Sequence, residues 1–319
     1  MAGSRPPANL IRLTRCATKY AGPEPNTQIP KPELITMSKN TPSTDSAARQ
    51  ESFREMELTG WNQKARGYHD YAGKVTPQAA SPLLEATGVD AGMQVLDIAT
   101  GPGYVAGAAS AVGAIATGID FSEEMIKEAE RNYPNALFYQ GDAESLVFAD
   151  NFFDVAICPF GLLHMAKPET AMKEAHRVLR PGGRYAFTVW ASPERHQFFN
   201  IVLSTVAELG SMDVPLPEAP PFFRFSDAGE CKRTLMEAGF TNITVDEINL
   251  SWNPESSQEA LDMLHKSTVR TAKILELQTT EALSAIHASI LEKVDASRKN
   301  NSIHLSWPAV MAIATKPGV

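Results

Sequence analysis

Strand-like and helix-like segments alternate between residues 94 and 190, and this alternation constrains the fold more than any other feature of the chain. Apolar runs predict strands at residues 94–98, 114–120, 136–140, 153–158 and 184–190. Helical spacing predicts helices from residue 104 onward and at 122–132 and 167–179. Because strands that are joined through helices run parallel, the pattern predicts an α/β protein whose parallel sheet is covered by helices on both faces.

The same signals predict further elements on either side of this core. In chain order they are two short cap helices within 52–92, helices at 193–209 and 226–238, a strand at 243–250, a helical insertion at 257–300 and a strand at 304–315. Within the insertion, one set of apolar residues has the spacing of a buried helix face: Leu283, Ile286, Ile290 and Val294. We expect residues 46–319 to form one domain, with the core of the sheet at 94–190.

Residues 1–45 are predicted to be a disordered extension, because they are rich in proline and poor in apolar residues. Several basic residues precede the first acid, Glu24, which is also typical of a mitochondrial transit peptide. Pro6 and Pro7 interrupt the long amphipathic helix that such a peptide needs. We therefore expect a cytoplasmic protein, with mitochondrial targeting as the alternative and Met37 as a second possible start.

Composition excludes several classes of function. The formal net charge of -8 argues against a nucleic-acid partner, since binding to phosphates requires a basic face. The three cysteines, Cys16, Cys158 and Cys231, lie far apart without metal-ligand spacing, so no metal site is predicted. No apolar run reaches the roughly 18–20 residues of a membrane span. A small-molecule partner fits best.

Acids stand at the ends of three successive predicted strands. Asp97 ends the first strand, Asp120 ends the second, and Asp142 follows the third. Ligands of open parallel sheets bind beyond the carboxyl ends of the strands. An acid about 20 residues after a glycine turn is placed to accept hydrogen bonds from ribose hydroxyls. The pattern therefore predicts a nucleoside ligand.

A nicotinamide dinucleotide is the alternative ligand, because residues 101–106 satisfy the loose pattern G-x-G-x-x-A. Asp97 stands before this turn, where it would repel a pyrophosphate but attract a cationic amine. Asp142 and Ala143 mark a further strand end that suits an adenine amino group. These acids favour a nucleoside that carries an amine over a dinucleotide.

Five segments in order resemble the motifs of class I S-adenosylmethionine-dependent methyltransferases, and most closely the quinone-biosynthesis C-methyltransferase-like group, methyltransferase type 11. They are residues 95–106, 118–122, 141–143, 153–155 and 177–183. The resemblance implies a Rossmann-like, seven-stranded sheet that is mostly parallel with an antiparallel C-terminal strand, and a helical lid. It also implies S-adenosylmethionine as cofactor and a small-molecule methyl acceptor.

By that resemblance, Asp97 would hold the methionine ammonium, and Asp120 would accept hydrogen bonds from the ribose hydroxyls. Asp142 would face the adenine amino group, with the Ala143 N–H at a ring nitrogen. The other residues implied at the cofactor are Ala99, Thr100, Gly101, Gly103, Phe121, Met125, Pro159 and Tyr68. Ala99 departs from the pattern, because many relatives have glycine there.

The segment 158–164 follows the fourth strand, where the family's substrate and methyl group meet. It lacks the Asn/Asp-Pro-Pro-Tyr/Phe sequence of base and glutamine N-methyltransferases. His164 is the candidate catalytic residue, as a general base or else as a packing histidine. Tyr68 and Tyr71 resemble lid residues over the sulfonium, where an aromatic face suits a cation.

The function predicted from the sequence is methylation of a small organic molecule on oxygen or carbon, by in-line displacement. Two alternatives stay open. The same fold could bind the cofactor and catalyse a cyclisation without methyl transfer, or it could act as a non-catalytic binding subunit. Formation of S-adenosylhomocysteine separates the first function from both alternatives.

Overall fold

The computed structural model describes residues 44–318 of the 319-residue chain. The described strands are β1 (Gln94–Ile98), β2 (Ile115–Asp120), β3 (Leu137–Gln140), β4 (Phe153–Pro159), β5 (Leu179–Trp190), β6 (Thr241–Trp252), β7 (Arg298–Lys299), β8 (Ser302–Ile303) and β9 (Leu305–Thr315). The described helices are α1 (Thr44–Tyr68), α2 (Ala80–Thr87), α3 (Tyr104–Ala111), α4 (Glu123–Asn132), α5 (Pro168–Val178), α6 (Gln197–Leu209), α7 (Ala228–Glu237), α8 (Ser257–Ser267), α9 (Arg270–Glu276) and α10 (Thr280–Asp295).

Seven of the strands form one sheet in the order β3-β2-β1-β4-β5-β9-β6. The pairs along β3-β2-β1-β4-β5 are parallel, whereas β9 pairs antiparallel with both β5 and β6. The predicted Rossmann-like sheet with its antiparallel C-terminal strand is therefore confirmed. The strand order reverses between β1 and β4, which places a crevice at the carboxyl ends of these strands.

The central strands are buried on both faces. In β5, neighbouring residues such as Ala186 and Phe187 are both fully buried, although they point to opposite faces of the sheet. In β1, Val95 and Leu96 are likewise inaccessible. Covered faces on both sides are typical of parallel sheets packed between helices. This arrangement holds the ends of β1, β2 and β4 rigidly where the ligand is expected.

The N-terminal cap differs from the prediction of two short helices. α1 runs without a break for 25 residues and is followed by two 3-10 turns and the short α2. Phe53 and Ala65 are buried on one face of α1, so tertiary packing holds this polar helix together. Of the extension predicted for residues 1–45, only 44 and 45 are described, and they belong to α1. The transit-peptide and Met37 predictions lie outside the described residues.

Smaller differences occur in the second half of the chain. α6 begins at Gln197, because His196 caps it by accepting a hydrogen bond from the Phe199 N–H. β5 begins at Leu179, five residues before the predicted strand at 184–190. Its first part is irregular, because Leu179 pairs with Phe153 and the next paired residue, Arg184, pairs with Val155. The insertion holds α8, α9 and α10 followed by the two-stranded ribbon β7-β8. Among residues 44–318, no helix is long and apolar enough to cross a membrane.

Candidate active site

A cavity of about 980 Å³, counting its open mouth, lies at the carboxyl ends of β1, β2 and β4. Its sheet wall includes Ala99, Gly101 and Asp120. The opposite wall comes from α1, from the turn after β4 and from the insertion. Eight of the predicted site residues line the cavity: Tyr68, Ala99, Gly101, Asp120, Phe121, Met125, Pro159 and His164.

Asp97 lies behind the glycine turn and is fully buried. Its Oδ2 accepts hydrogen bonds from the Thr100 hydroxyl at 2.6 Å and from the Ala106 N–H at 2.9 Å. Its Oδ1 has no hydrogen-bond partner among the described residues. Burial raises the pKa of Asp97 to about 7, against the lowering effect of these two bonds. The free oxygen suits a cationic donor. Thr100 orients this carboxylate and does not line the cavity.

Asp120 occupies the end of β2 and reaches the cavity directly. Its Oδ2 accepts from the Gly101 N–H at 2.8 Å, and its Oδ1 accepts from the Ser122 N–H at 2.9 Å. Burial raises the pKa of Asp120 to about 6, although the backbone donors oppose the shift. Each carboxylate oxygen has a second lone pair, so both can accept a further hydrogen bond from a ligand.

The turn between β1 and α3 requires left-handed backbone. Gly101 has φ +52° with no atom within 4 Å of where a Cβ would lie, so the chain passes the cavity without a side chain. Gly103 has φ +86°, and a Cβ there would lie 2.9 Å from the Phe138 ring and 3.0 Å from Ala129. Gly103 therefore allows close packing of α3 and α4, and it lies behind the cavity wall.

Ala99 adopts φ +54°, which L-residues with a Cβ rarely adopt. Replacing it by glycine should relieve the strain and raise the free energy of unfolding by about 0.5–1 kcal/mol. Ala99→Val should instead destabilise the protein, because a β-branched side chain is under more steric strain at positive φ. Urea unfolding of both variants tests this. If the glycine variant is less stable than the parent, the packing of the Ala99 methyl group contributes more stability than the strained backbone costs.

Asp142 and Ala143 follow β3 but do not line the cavity. Asp142 is ion-paired with Arg54 of α1, with 2.6 Å between Nη2 and Oδ2. The same guanidinium also holds Glu144 at 2.9 Å. α1 therefore reaches the loop after β3, and a ligand group at Asp142 would meet Arg54 there.

The two tyrosines predicted to act as a lid have different surroundings. Tyr68 lines the cavity, and burial raises the pKa of its hydroxyl to about 12. Tyr71 lies against α8 instead, where its hydroxyl accepts a hydrogen bond from Lys266 and donates one to Asp262. Only Tyr68 is thus placed to contact a ligand in the cavity.

His164 belongs to a buried polar cluster. Its Nδ1 lies 2.9 Å from Oε2 of Glu57, which is fully buried on α1 and also accepts from the Trp61 Nε1–H at 2.9 Å. Oε1 of Glu57 accepts from Arg270 Nε at 3.2 Å. Because a carboxylate only accepts, His164 donates through Nδ1, and when the ring is neutral its acceptor is therefore Nε2. A histidine that is oriented by a carboxylate in this way can serve as a general base.

Glu57 and Arg270 were not predicted as site residues, and only Glu57 has a signal in the sequence. Phe53, Glu57 and Trp61 are spaced four residues apart, so the glutamate falls within an apolar helix face. An acid at such a place needs a buried partner. Arg270 stands in the insertion without a comparable local pattern.

Known proteins resemble this chain in both sequence and fold. A family model described as a methyltransferase domain matches residues 96–187. A demethylmenaquinone methyltransferase of Paenarthrobacter aurescens is 30% identical over 171 residues, which cover 51% of this chain and 68% of that protein. One of Staphylococcus aureus is 33% identical over 178 residues, which cover 51% of this chain and 74% of that protein.

Among solved structures, phosphoethanolamine N-methyltransferase 2 of Haemonchus contortus aligns with a TM-score of 0.52 and 18% identity. The alignment covers 83% of this chain and 60% of that one, which is in complex with phosphomonomethylethanolamine and S-adenosylhomocysteine. At this identity the likeness concerns the fold alone.

The cavity fits the cofactor of such enzymes. The unpartnered Oδ1 of Asp97 offers a buried acceptor for an ammonium group, although Asp97 lies behind the turn and is not among the residues that line the cavity. The open space beside Gly101 leaves room for a ligand against the backbone, and Asp120 retains acceptor capacity at the cavity wall. The chain belongs to the methyltransferase domain family with the class I fold, and it is a methyltransferase that uses S-adenosylmethionine.

Proposed function

We propose that this enzyme methylates a small, uncharged aromatic molecule that carries an acidic ring hydroxyl, such as a phenol or a quinol. The Glu57–His164 pair carries the proposal, because it presents a potential proton acceptor to a cavity that also holds the cofactor-binding carboxylate Asp120. Demethylmenaquinone, which the related enzymes are named for, is a quinone. We infer methylation of a ring carbon, with the ring oxygen as the second candidate.

The walls of the cavity favour a flat acceptor. Phe160 and Trp190 are stacked with ring centroids 4.0 Å apart, and Trp190 meets Trp307 at 5.3 Å. Phe199 and Phe222 continue this aromatic surface toward His164. Aromatic surfaces of this kind bind ring systems through offset or edge-to-face contacts.

The charges around the cavity favour an uncharged acceptor. Among its described lining residues, Tyr68, Asp120, His164 and Arg270 are ionisable. Arg270 already donates to Glu57 and to the carbonyls of Leu163 and Pro220. An acceptor with a carboxylate or phosphate would thus compete for an occupied guanidinium. A cationic amine would find Asp120 as its one carboxylate partner among the described lining residues, and Asp120 lies on the side of the cavity assigned to the cofactor.

We assign the cofactor contacts as follows. Asp97 holds the methionine ammonium through Oδ1, and Asp120 accepts from the ribose hydroxyls. Phe121 and Met125 lie against the purine, and Asp142 takes the adenine amino group beside the Ala143 N–H. For this last contact Asp142 would have to share or release Arg54, to which it is now paired.

His164 acts on the acceptor and not on the cofactor. When bound, S-adenosylmethionine supplies an electrophilic methyl group on a sulfonium, so no covalent bond to the protein is needed. His164 Nε2 takes the proton of the ring hydroxyl, and Glu57 stabilises the imidazolium that forms. In methylation of a ring carbon, that carbon would gain the methyl group as the bond from methyl to sulfur breaks, the hydrogen on the same carbon would leave as a proton, and the His164 imidazolium would return a proton to the ring oxygen. One proton is then released overall, as it is in methylation of the oxygen. Tyr68 and the aromatic walls exclude water and hold the ring in line with the methyl group.

The raised pKa of Asp97 predicts that cofactor affinity depends on pH. The ammonium needs the ionised carboxylate, and with a pKa of about 7 the ionised fraction falls about tenfold between pH 8 and pH 6. The affinity for S-adenosylhomocysteine, measured by calorimetry, should fall by about the same factor. Asp97→Asn should bind weakly and with little pH dependence.

The stability of the protein without ligand should depend on pH with the opposite sign to the cofactor affinity. The usual pKa of an Asp, 3.8, applies to the unfolded chain, so the native protein binds more protons between about pH 4 and pH 7. The contribution of Asp97 to stability therefore decreases as pH rises through this range. Added cofactor product should stabilise the protein more at pH 8 than at pH 6. A thermal shift that is equal at both pH values would contradict this assignment.

The proposed acceptor class is tested with methyl-labelled S-adenosylmethionine and a panel of acceptors: 1,4-naphthoquinol, 1-naphthol, 2-naphthoic acid and histamine. We expect S-adenosylhomocysteine and labelled product with the quinol or the phenol, and NMR of the product distinguishes carbon from oxygen methylation. Labelling of the acid or the amine alone would overturn the proposal. Consumption of an acceptor without S-adenosylhomocysteine would indicate cyclisation instead.

A further inference from the structure

Arg270 joins three distant segments of the chain around the cavity. It is the first residue of α9, and its side chain is only 12% exposed. Nε donates to Glu57 of α1, Nη1 donates to the Pro220 carbonyl at 3.0 Å, and Nη2 donates to the Leu163 carbonyl at 2.8 Å. Leu163 directly precedes His164. The insertion therefore fixes both the carboxylate that His164 contacts and the backbone that carries His164.

Arg270 and His164 contact the same carboxylate, that of Glu57. Glu57 is fully buried, with Arg270 on one oxygen and His164 and Trp61 on the other. A buried carboxylate without a cation would draw a proton onto its histidine partner, because burial makes an unpaired charge costly. The resulting imidazolium has no lone pair and cannot accept a proton from a substrate.

We propose that Arg270 is a positioning residue that balances the charge of Glu57 and so keeps His164 neutral and able to accept a proton. This inference rests on the proposed function, in which His164 is the base. It adds that the helical insertion supplies the charge on which the base depends.

Other ionisable groups near His164 stay the same in the test variants. Asp120 and Tyr68 line the same cavity, and Glu57 lies behind the ring. Changes at Arg270 leave all three in place. A difference between variants therefore reports the charge of residue 270 and its contacts.

The direct test is an NMR titration of His164 in protein saturated with S-adenosylhomocysteine, with the signal assigned from its absence in His164→Gln. In Arg270→Gln the midpoint should move upward by about one pH unit, as expected for removing one charge from a partly buried site. In Arg270→Lys, which keeps the charge but loses the carbonyl contacts, the midpoint should stay near that of the parent. An unmoved midpoint in Arg270→Gln would overturn the inference.

A second variant keeps the test decisive if Arg270→Gln does not fold. Glu57→Gln combined with Arg270→Gln removes both buried charges, so the His164 midpoint in this double variant is compared with that in Glu57→Gln alone, where the Arg270 charge remains. The midpoint in the double variant should lie above that in Glu57→Gln, and equal midpoints would overturn the inference as well. Both titrations are independent of turnover, so they separate this inference from the acceptor assignment.

Turnover of 1,4-naphthoquinol supplies the functional readout. Arg270→Gln should lower kcat about tenfold at pH 6.5 and regain most of it at pH 9, where His164 is neutral again. The rise of kcat with pH should also shift upward by about one pH unit, whereas a merely structural role would lower kcat without moving the midpoint of that rise, and this result would overturn the inference. If His164→Gln itself keeps full turnover, the proposed function fails first, and Arg270 then has no base to position.

Discussion

Replacing His164 by alanine is expected to lower turnover by about 10²- to 10⁴-fold, while the affinity for S-adenosylmethionine stays nearly unchanged. The reason is that His164 lines the cavity and uses Nδ1 for Glu57, so among the described residues its Nε2 is left to accept a proton from the acceptor. The loss should shrink at high pH, where the acceptor hydroxyl ionises without help. The measurement is kcat against pH with 1,4-naphthoquinol, alongside calorimetry with S-adenosylhomocysteine.

The matched control is His304→Ala, because that histidine is exposed and contacts Asn253 away from the cavity. It should leave kcat unchanged. If His164→Ala keeps normal turnover at neutral pH but unfolds at a lower temperature, the histidine only packs against its neighbours. Catalysis would then rest on alignment of the acceptor alone.

Replacing Asp120 is expected to have the largest effect on cofactor binding. Each charged hydrogen bond lost should cost about 1.5–3 kcal/mol, which corresponds to roughly 10- to 150-fold in the dissociation constant. Asp120→Asn is a better test than Asp120→Ala. The asparagine oxygen can still accept a hydrogen bond from one of the two backbone N–H groups that now donate to Asp120, those of Gly101 and Ser122. Calorimetry with S-adenosylhomocysteine measures the loss.

Asp246→Asn on the exposed surface of β6 is the control and should bind the cofactor normally. Equal affinity in Asp120→Asn and in the parent would mean that Asp120 only secures the turns after β1 and β2. The assignment of the ribose contact would then be wrong, although the fold would be unaffected.

The central strands were predictable because local and tertiary signals agree there. β1 matches its predicted bounds, and β2, β3 and β4 differ by one residue. The ribbon β7-β8 was missed, although Asn300 and Asn301 both have positive φ and asparagine pairs favour such tight hairpins. Its strands have two residues each, too few for an alternating pattern to show.

The candidate site was predictable only in part. The glycine turn, Asp97 and Asp120 follow from the strand ends, because chain order alone brings the ends of parallel strands together. The pairing of Asp142 with Arg54 did not follow from the sequence, because it depends on how α1 crosses the loop after β3. The contact between Arg270 and Glu57 could not be predicted either, because the two residues are more than two hundred positions apart in the chain.

The position of β9 between β5 and β6 has a consequence for synthesis of the protein. β6 is made long before β9, yet its described sheet partner is β9, so β6 has no strand to pair with until β9 leaves the ribosome. A nascent chain that stops within the insertion exposes the edges of β5 and β6, and unpaired edges promote aggregation. We expect this protein to complete its sheet only late in translation. Until then, we expect chaperones to be needed to cover the exposed strand edges.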